Sequence, residues 1–110
     1  DKKPQNQNDV VYSTSVLKFL RDKLDPFMID CFRLVAAHHK KNGLVKSMID
    51  DYQGRRYLYE RAFNFLEAQG FIESSSYGNM KPYFITTRGF QLVSLLKEEK
   101  QMNNQKEEQQ

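Results

Sequence analysis

The chain holds 110 residues with 39% hydrophobic and 13% aromatic content, enough for one domain around one core. No apolar run reaches the length of a membrane span and no signal peptide is visible, which argues against a membrane partner. Formal net charge is +3; residues 1–9 sum to zero and residues 97–110 to −1, so the core carries 3 − (−1) = +4, a modest excess that suits a polyanionic partner without requiring one.

Residues 1–9 are polar, lack an apolar anchor and read as a disordered arm. A helix is expected over 13–24, capped by Ser13, Thr14 or Ser15, with Val16, Leu17, Leu20 and Leu24 on one stripe and Phe19 beside it. Asp25-Pro26 is a helix start, a capping aspartate before a proline at the first helical position. That second helix runs to the residue before Gly43 and is heavily apolar, which makes it central. His38, His39, Lys40 and Lys41 close it, where cations suit the dipole. Adjacent histidines on a helix point about 100° apart and make no two-ligand site, so no metal is expected. Cys31 is the single cysteine. It cannot form an internal disulfide, which fits a cytoplasmic location, and it reads as a small buried residue.

Two short helices are expected next, over Lys46 to Tyr52 and from Arg55 to Gly70, joined by a turn at Gln53-Gly54. Met48 and Ile49 point inward from the first. Leu58, Tyr59, Ala62, Phe63, Phe65 and Leu66 give the second a wide apolar stripe. Arg55, Arg56, Tyr57, Glu60, Arg61 and Asn64 fall away from its centre. Cations at a helix start oppose the macrodipole. The placement makes sense where that end faces a polyanion, as in a helix-turn-helix whose second helix enters the major groove with its N-terminal residues. The bland reading is a helical hairpin with a solvated basic end. Asp50 and Asp51 are less friendly to DNA; they position the turn or pair with Arg55 or Arg56.

After Gly70 the pattern turns extended. One strand is expected over 71–77, a turn at Gly78-Asn79, and a return strand over 81–86 with Pro82 keeping its outer part at an edge. A hairpin directly after the second helix is a wing, with Tyr77, Gly78, Asn79, Met80 and Lys81 at its tip. Thr86 or Thr87 caps a last helix through Lys100, with Phe90, Leu92, Val93, Leu95 and Leu96 apolar. Residues 101–110 read as a disordered polar tail, leaving a single domain over 10–100. The fold class is therefore mainly α with a small two-stranded β wing.

Two stretches resemble winged helix-turn-helix DNA-binding proteins of the MarR and PadR type: AFNFLEAQGFIE at 62–73 and YFITTRGFQLV at 83–93, with the basic Gly54-Arg55-Arg56 before them. The resemblance covers about residues 26–96. Plasmid centromere-binding proteins of the TubR type resemble the same pattern. The resemblance implies sequence-specific binding of double-stranded DNA by a homodimer, with transcription regulation or plasmid partition as the output and no cofactor. Arg55, Arg56, Tyr57 and Arg61 would enter the major groove. Lys46 and Ser47 would reach phosphates, and Asn79, Lys81 and Arg88 the flanking backbone or minor groove. Leu17, Leu20, Val93 and Leu96 would form the dimer interface through the terminal helices.

Catalysis fares badly by the same reading. There is no glycine-rich phosphate loop, no metal-ligand cluster and no nucleophile–base pair, and Asp50-Asp51 and Glu98-Glu99 read as solvated charge. The competing class is a winged helix that binds another protein through an aromatic patch of Tyr52, Tyr57, Tyr59 and Tyr77.

Overall fold

The computed structural model describes residues 10–76 and 78–109, with the side chains of 103–109 left aside. The elements run α1 (Thr14–Arg21), α2 (Pro26–His38), α3 (Arg56–Ala68), β1 (Ile72–Ser74), β2 (Tyr83–Ile85) and α4 (Thr87–Gln109). The fold is mainly helical, with four α-helices and one small antiparallel sheet. The arm expected over residues 1–9 lies outside the described residues.

The start signals act as their chemistry requires. Ser13 Oγ accepts from the backbone N–H of Val16, and Asp25 Oδ1 from that of Met28 at 2.8 Å, so each helix has one orphan donor satisfied by its cap. Thr86, not Thr87, caps α4: its hydroxyl accepts from the Gly89 N–H and donates to the Gly70 carbonyl. Gly70 takes φ +84° immediately after α3, the left-handed stop expected of it.

α2 and α3 cross through the core. Cys31, Val35 and Met28 of α2 meet Tyr59, Ala62, Phe63 and Leu66 of α3, all buried. Phe63 stacks on Tyr83 with ring centroids 4.8 Å apart, which fixes β2 over α3. Burial pushes the Cys31 thiol up to about 12, so it stays protonated and packs as a small apolar group. α3 ends on the strand that follows it, and β1 pairs β2 in the register Ile72↔Ile85, Glu73↔Phe84, Ser74↔Tyr83. Leu44 bridges the other edge of Tyr83, exchanging both backbone hydrogen bonds at 2.8 and 3.0 Å.

Several boundaries differ from the sequence reading. The helix expected over 46–52 is absent; the segment holds one 3-10 turn, Lys46–Met48, and a second, Gln53–Arg55, follows it. Ile49 is extended (φ −92°, ψ 116°). Seven residues fall short of a self-supporting helix, and Asp50, Asp51 and Gly54 are weak helix formers. Burying Ile49 and Tyr52 then decides the path, while Met48, expected inside, is exposed. The second helix stops at His38, short of the left-handed Asn42 and Gly43 (φ +71° and +86°), and His39 at its cap accepts the Ile85 N–H on Nδ1 at 3.2 Å. The strands shrink to three residues each, since Pro82 offers no donor and the chain flares into the turn. α1 ends at Arg21, after which the chain turns to bury Leu24. α4 continues through residues 101–109, where a disordered tail was expected. Its Gln, Glu, Lys and Met residues are strong helix formers, and propensity carries the backbone on where packing ends.

The terminal helices fold onto their own core. Leu17 and Leu96 are buried, and Leu20 and Val93 pack against the core from its margin. Arg21 Nε donates to both oxygens of Glu99 at 3.0 Å, tying α1 to α4. Leu17 and Leu96, two of the four residues expected to face a second subunit, are thus covered within one chain where α1 packs on α4, whereas Leu20 and Val93 stay half-buried.

Candidate nucleic-acid interface

The site is built on the first two turns of α3. Tyr59, Ala62, Phe63 and Leu66 occupy its buried side, which leaves Arg56, Tyr57, Glu60, Arg61 and Asn64 on the outer arc. Leu58, placed in the apolar stripe by its spacing, lies at the margin and is exposed. Tyr57 is 77% exposed. Arg55 sits at the cap position with φ −130° and ψ 31°, and no side chain caps the helix. The orphan N–H groups at this end, with the positive end of the dipole, lie beside Arg55 and Arg56.

Two tyrosine–carboxylate–arginine chains organise these cations. The Tyr59 hydroxyl donates to Asp51 Oδ1 at 2.6 Å, and Arg55 Nη1 reaches Asp51 Oδ2 at 3.5 Å. The Tyr52 hydroxyl donates to Glu60 Oε2 at 3.1 Å, and Arg56 Nε to the same oxygen at 2.8 Å. The hydrogen bond from Tyr59 is the main reason the Asp51 carboxyl titrates below its ordinary range. The hydrogen bond from Arg56, then that from Tyr52, does the same for Glu60. In return Asp51, with burial, holds the Tyr59 hydroxyl up to about 12. The Arg55 guanidinium also lies 5.3 Å from the centre of the Phe27 ring. Both arginine side chains remain more than half exposed, at 52% and 65%.

Lys46 arrives from the preceding turn, its ammonium 5.9 Å from both the Tyr52 and Tyr83 rings, and it helps depress Glu60. Ser47 is exposed beside it. The fold therefore brings Lys46, Arg55 and Arg56 to one end of α3, around Tyr52 and Glu60. Arg61 is exposed one turn further along the helix. Asn79 and Lys81 are exposed on the loop between the strands, and no described contact joins them to α3. Tyr77 lies outside the described residues.

Arg88 departs most from the expectation. It is buried, with Nε donating to the Gly70 carbonyl and Nη1 to the Val10 carbonyl, both at 2.9 Å. Tyr12 stands beside it, its hydroxyl donating to the Gln69 carbonyl at 2.6 Å and its backbone paired with the Gln91 amide in both directions at 2.9 Å. This arginine fastens the end of α3 to α4 and to the segment before α1, and it faces no solvent-borne ligand. A threonine–arginine–glycine run at a helix start looks like a phosphate contact in sequence; only burial separates the two roles. Glu60 was missed as a partner of Arg56, although the i, i+4 spacing carries that signal. Asp51, read as a partner of Arg55 or Arg56, pairs with Arg55.

Of the aromatic patch offered by the competing reading, Tyr52 and Tyr59 are buried and Tyr57 is exposed. Among the described residues no group of three His, Cys, Asp or Glu could hold a metal ion, and no helix is long and apolar enough to cross a membrane. No known protein family, curated protein or solved structure matches this chain.

Proposed function

We propose that the protein is a winged helix that binds double-stranded DNA with sequence preference and acts as a transcription regulator. The observation that carries the reading is the outer arc of α3, where Arg55, Arg56 and Arg61 flank the fully presented Tyr57 at a helix end that electrostatics would otherwise keep free of cations. The order of elements supports it. In this reading α2, the turns over 46–55 and α3 form the reading head, the β1–β2 hairpin follows α3 as a wing, and Leu44 bridges to Tyr83 at its edge. In this reading Asp51 and Glu60 hold two flexible guanidinium groups in place before contact, which lowers the entropy lost on binding. Lys46, Ser47, Asn79 and Lys81 reach the phosphate backbone, and Arg88 has no part in it.

Pairing two reading heads would supply specificity that one head lacks. With Leu17 and Leu96 buried within the chain, a two-fold contact falls to the outer side of α1, where Val16 and Phe19 are 43% and 60% exposed.

Selection from a random duplex pool, followed by titration across salt concentrations, tests the reading. An enriched sequence whose affinity falls steeply with salt is expected, because phosphate contacts release counterions. No enrichment, or binding indifferent to salt, would overturn it. Sedimentation of the parent beside Phe19→Glu tests the pairing; a single 13.0 kDa species at every concentration would remove it.

A further inference from the structure

A groove runs between α2 and α4, on the side of α2 turned away from α3. Its floor is apolar: Phe32 and Leu96 are buried, and Ile29, Ala36 and Val93 are half-buried. It encloses about 720 Å³. Ala36 and Val93 also line an adjoining recess of about 300 Å³, where Phe90, 51% exposed, forms the far wall. From Phe90 to Lys97 the floor extends two turns of α4, ~10 Å at the rise of an α-helix. That length matches the i, i+3, i+4 and i+7 anchors of a single helix laid in a groove.

The rim is mostly cationic. Arg33, Lys97 and Lys100 border the main groove, and Lys40 and Lys41 border the recess. Among the described residues none of these five makes an ion pair. The acid at this rim, Glu99, is already held by both its oxygens on Arg21. A second copy of the chain is a poor occupant. A two-fold interface sets the same patch against itself, so five cations would oppose five cations across an apolar seam. A small anionic molecule would leave most of the ~10 Å floor wet.

We infer that the α2–α4 groove is a docking site for an amphipathic helix of a partner protein that carries acidic residues on both flanks of an apolar stripe. The apolar stripe covers Ile29, Ala36, Val93 and Phe90, and the flanking carboxylates meet Arg33 and Lys40 along the α2 rim and Lys97 along the α4 rim. The groove lies off the α3 surface, so such a partner docks independently of the face proposed for DNA.

Two synthetic helical peptides of about 18 residues, long enough to hold a helix, serve as probes. They share one leucine stripe and differ in having Glu or Lys on its flanks. With isotope-labelled protein, the Glu peptide is expected to bind in the micromolar range and to shift the amides of Ile29, Ala36 and Val93. The Lys peptide should bind at least about ten-fold more weakly, since like charges oppose it across the rim. Reversing two exposed rim cations, Arg33→Glu with Lys97→Glu, should invert the preference, and this pair leaves the buried floor intact. Arg55→Ala should change neither affinity. Equal binding of the two peptides, an uninverted preference in the reversed variant, shifts centred on α3, or absence of binding would each overturn the proposal. So would concentration-dependent self-association that Val93→Glu abolishes, since that result would make a second copy the occupant.

Discussion

Arginines meet opposite fates at the two ends of α3. At its start, Arg55 and Arg56 stand more than half exposed, each steadied by one carboxylate that a tyrosine orients. At its end, Arg88 is buried and gives its donors to two main-chain carbonyls. All three sit at or near a helix start beside a glycine, and sequence alone makes them equivalent candidates for phosphate. The difference lies in what surrounds the backbone. At the junction of α3, β1 and α4 the Gly70 carbonyl takes donors from both Thr86 and Arg88, and Arg88 also reaches the Val10 carbonyl of the segment before α1. The start of α3 faces outward, and its cations need only be kept from waving.

Substitutions at the two ends should therefore separate stability from binding. The largest effect is expected at Gly89, one residue from Arg88. A Cβ there would lie 2.2 Å from the Phe71 carbonyl oxygen and 2.6 Å from the Ile85 side chain. Both are close-packed, so Gly89→Ala should cost about 3 kcal/mol through forced displacement of β1 from α4. Thermal unfolding should show a midpoint lower by about 12 °C or more. An unchanged midpoint would mean that the junction is looser than its packing.

Arg88→Ala comes next. It removes charge-assisted hydrogen bonds to two carbonyls in a buried setting and should cost about 2 kcal/mol. The folded fraction should bind a selected duplex as tightly as the parent does. Weakened binding with an unchanged unfolding midpoint would reverse the assignment and return Arg88 to the interface.

Arg55→Ala and Arg56→Ala should behave in the opposite way. Exposed i, i+4 pairs contribute little, so unfolding should move by less than about 0.5 kcal/mol. Loss of a base contact should cost about 1–3 kcal/mol in affinity for the selected site, ten-fold or more. Full affinity in both variants would remove the start of α3 from any DNA contact.

Lys81→Ala on the hairpin loop should produce a smaller and uniform loss. A phosphate contact reads no sequence, so all duplexes should weaken alike and the salt slope should become shallower by about one. An unchanged slope would confine contact to α3.

The smallest effect concerns acid. Asp51 and Glu60 titrate below their ordinary values of 3.8 and 4.5 in the folded chain. Their contribution to stability is fully present above those values and disappears as pH falls through the lower folded ones. Tyr59→Phe removes the main cause of the Asp51 shift, so its acid unfolding limb should be flatter than the parent's as pH falls below the ordinary carboxylate value of 3.8. Superimposed limbs would show that the hydrogen bond is too weak in solution to orient Arg55.

The sequence determined the parts of this protein whose physics is local. Ser13, Asp25-Pro26 and Gly70 act through hydrogen bonds and backbone freedom within a few residues, so those helix ends were legible, as was the outer arc of α3 from its 3.6-residue period. Tertiary structure decided what depends on partners far along the chain. The 46–52 segment was too short to hold a helix and took the path that buries Ile49 and Tyr52. The His39 side chain found its donor on Ile85, 46 residues away. Leu17 and Leu96 face each other's helices within one chain, and Arg88 reaches Val10 across 78 residues. Periodicity marks a side as apolar or charged, but not what will cover it; that follows from which surfaces and unsatisfied carbonyls the rest of the chain brings alongside.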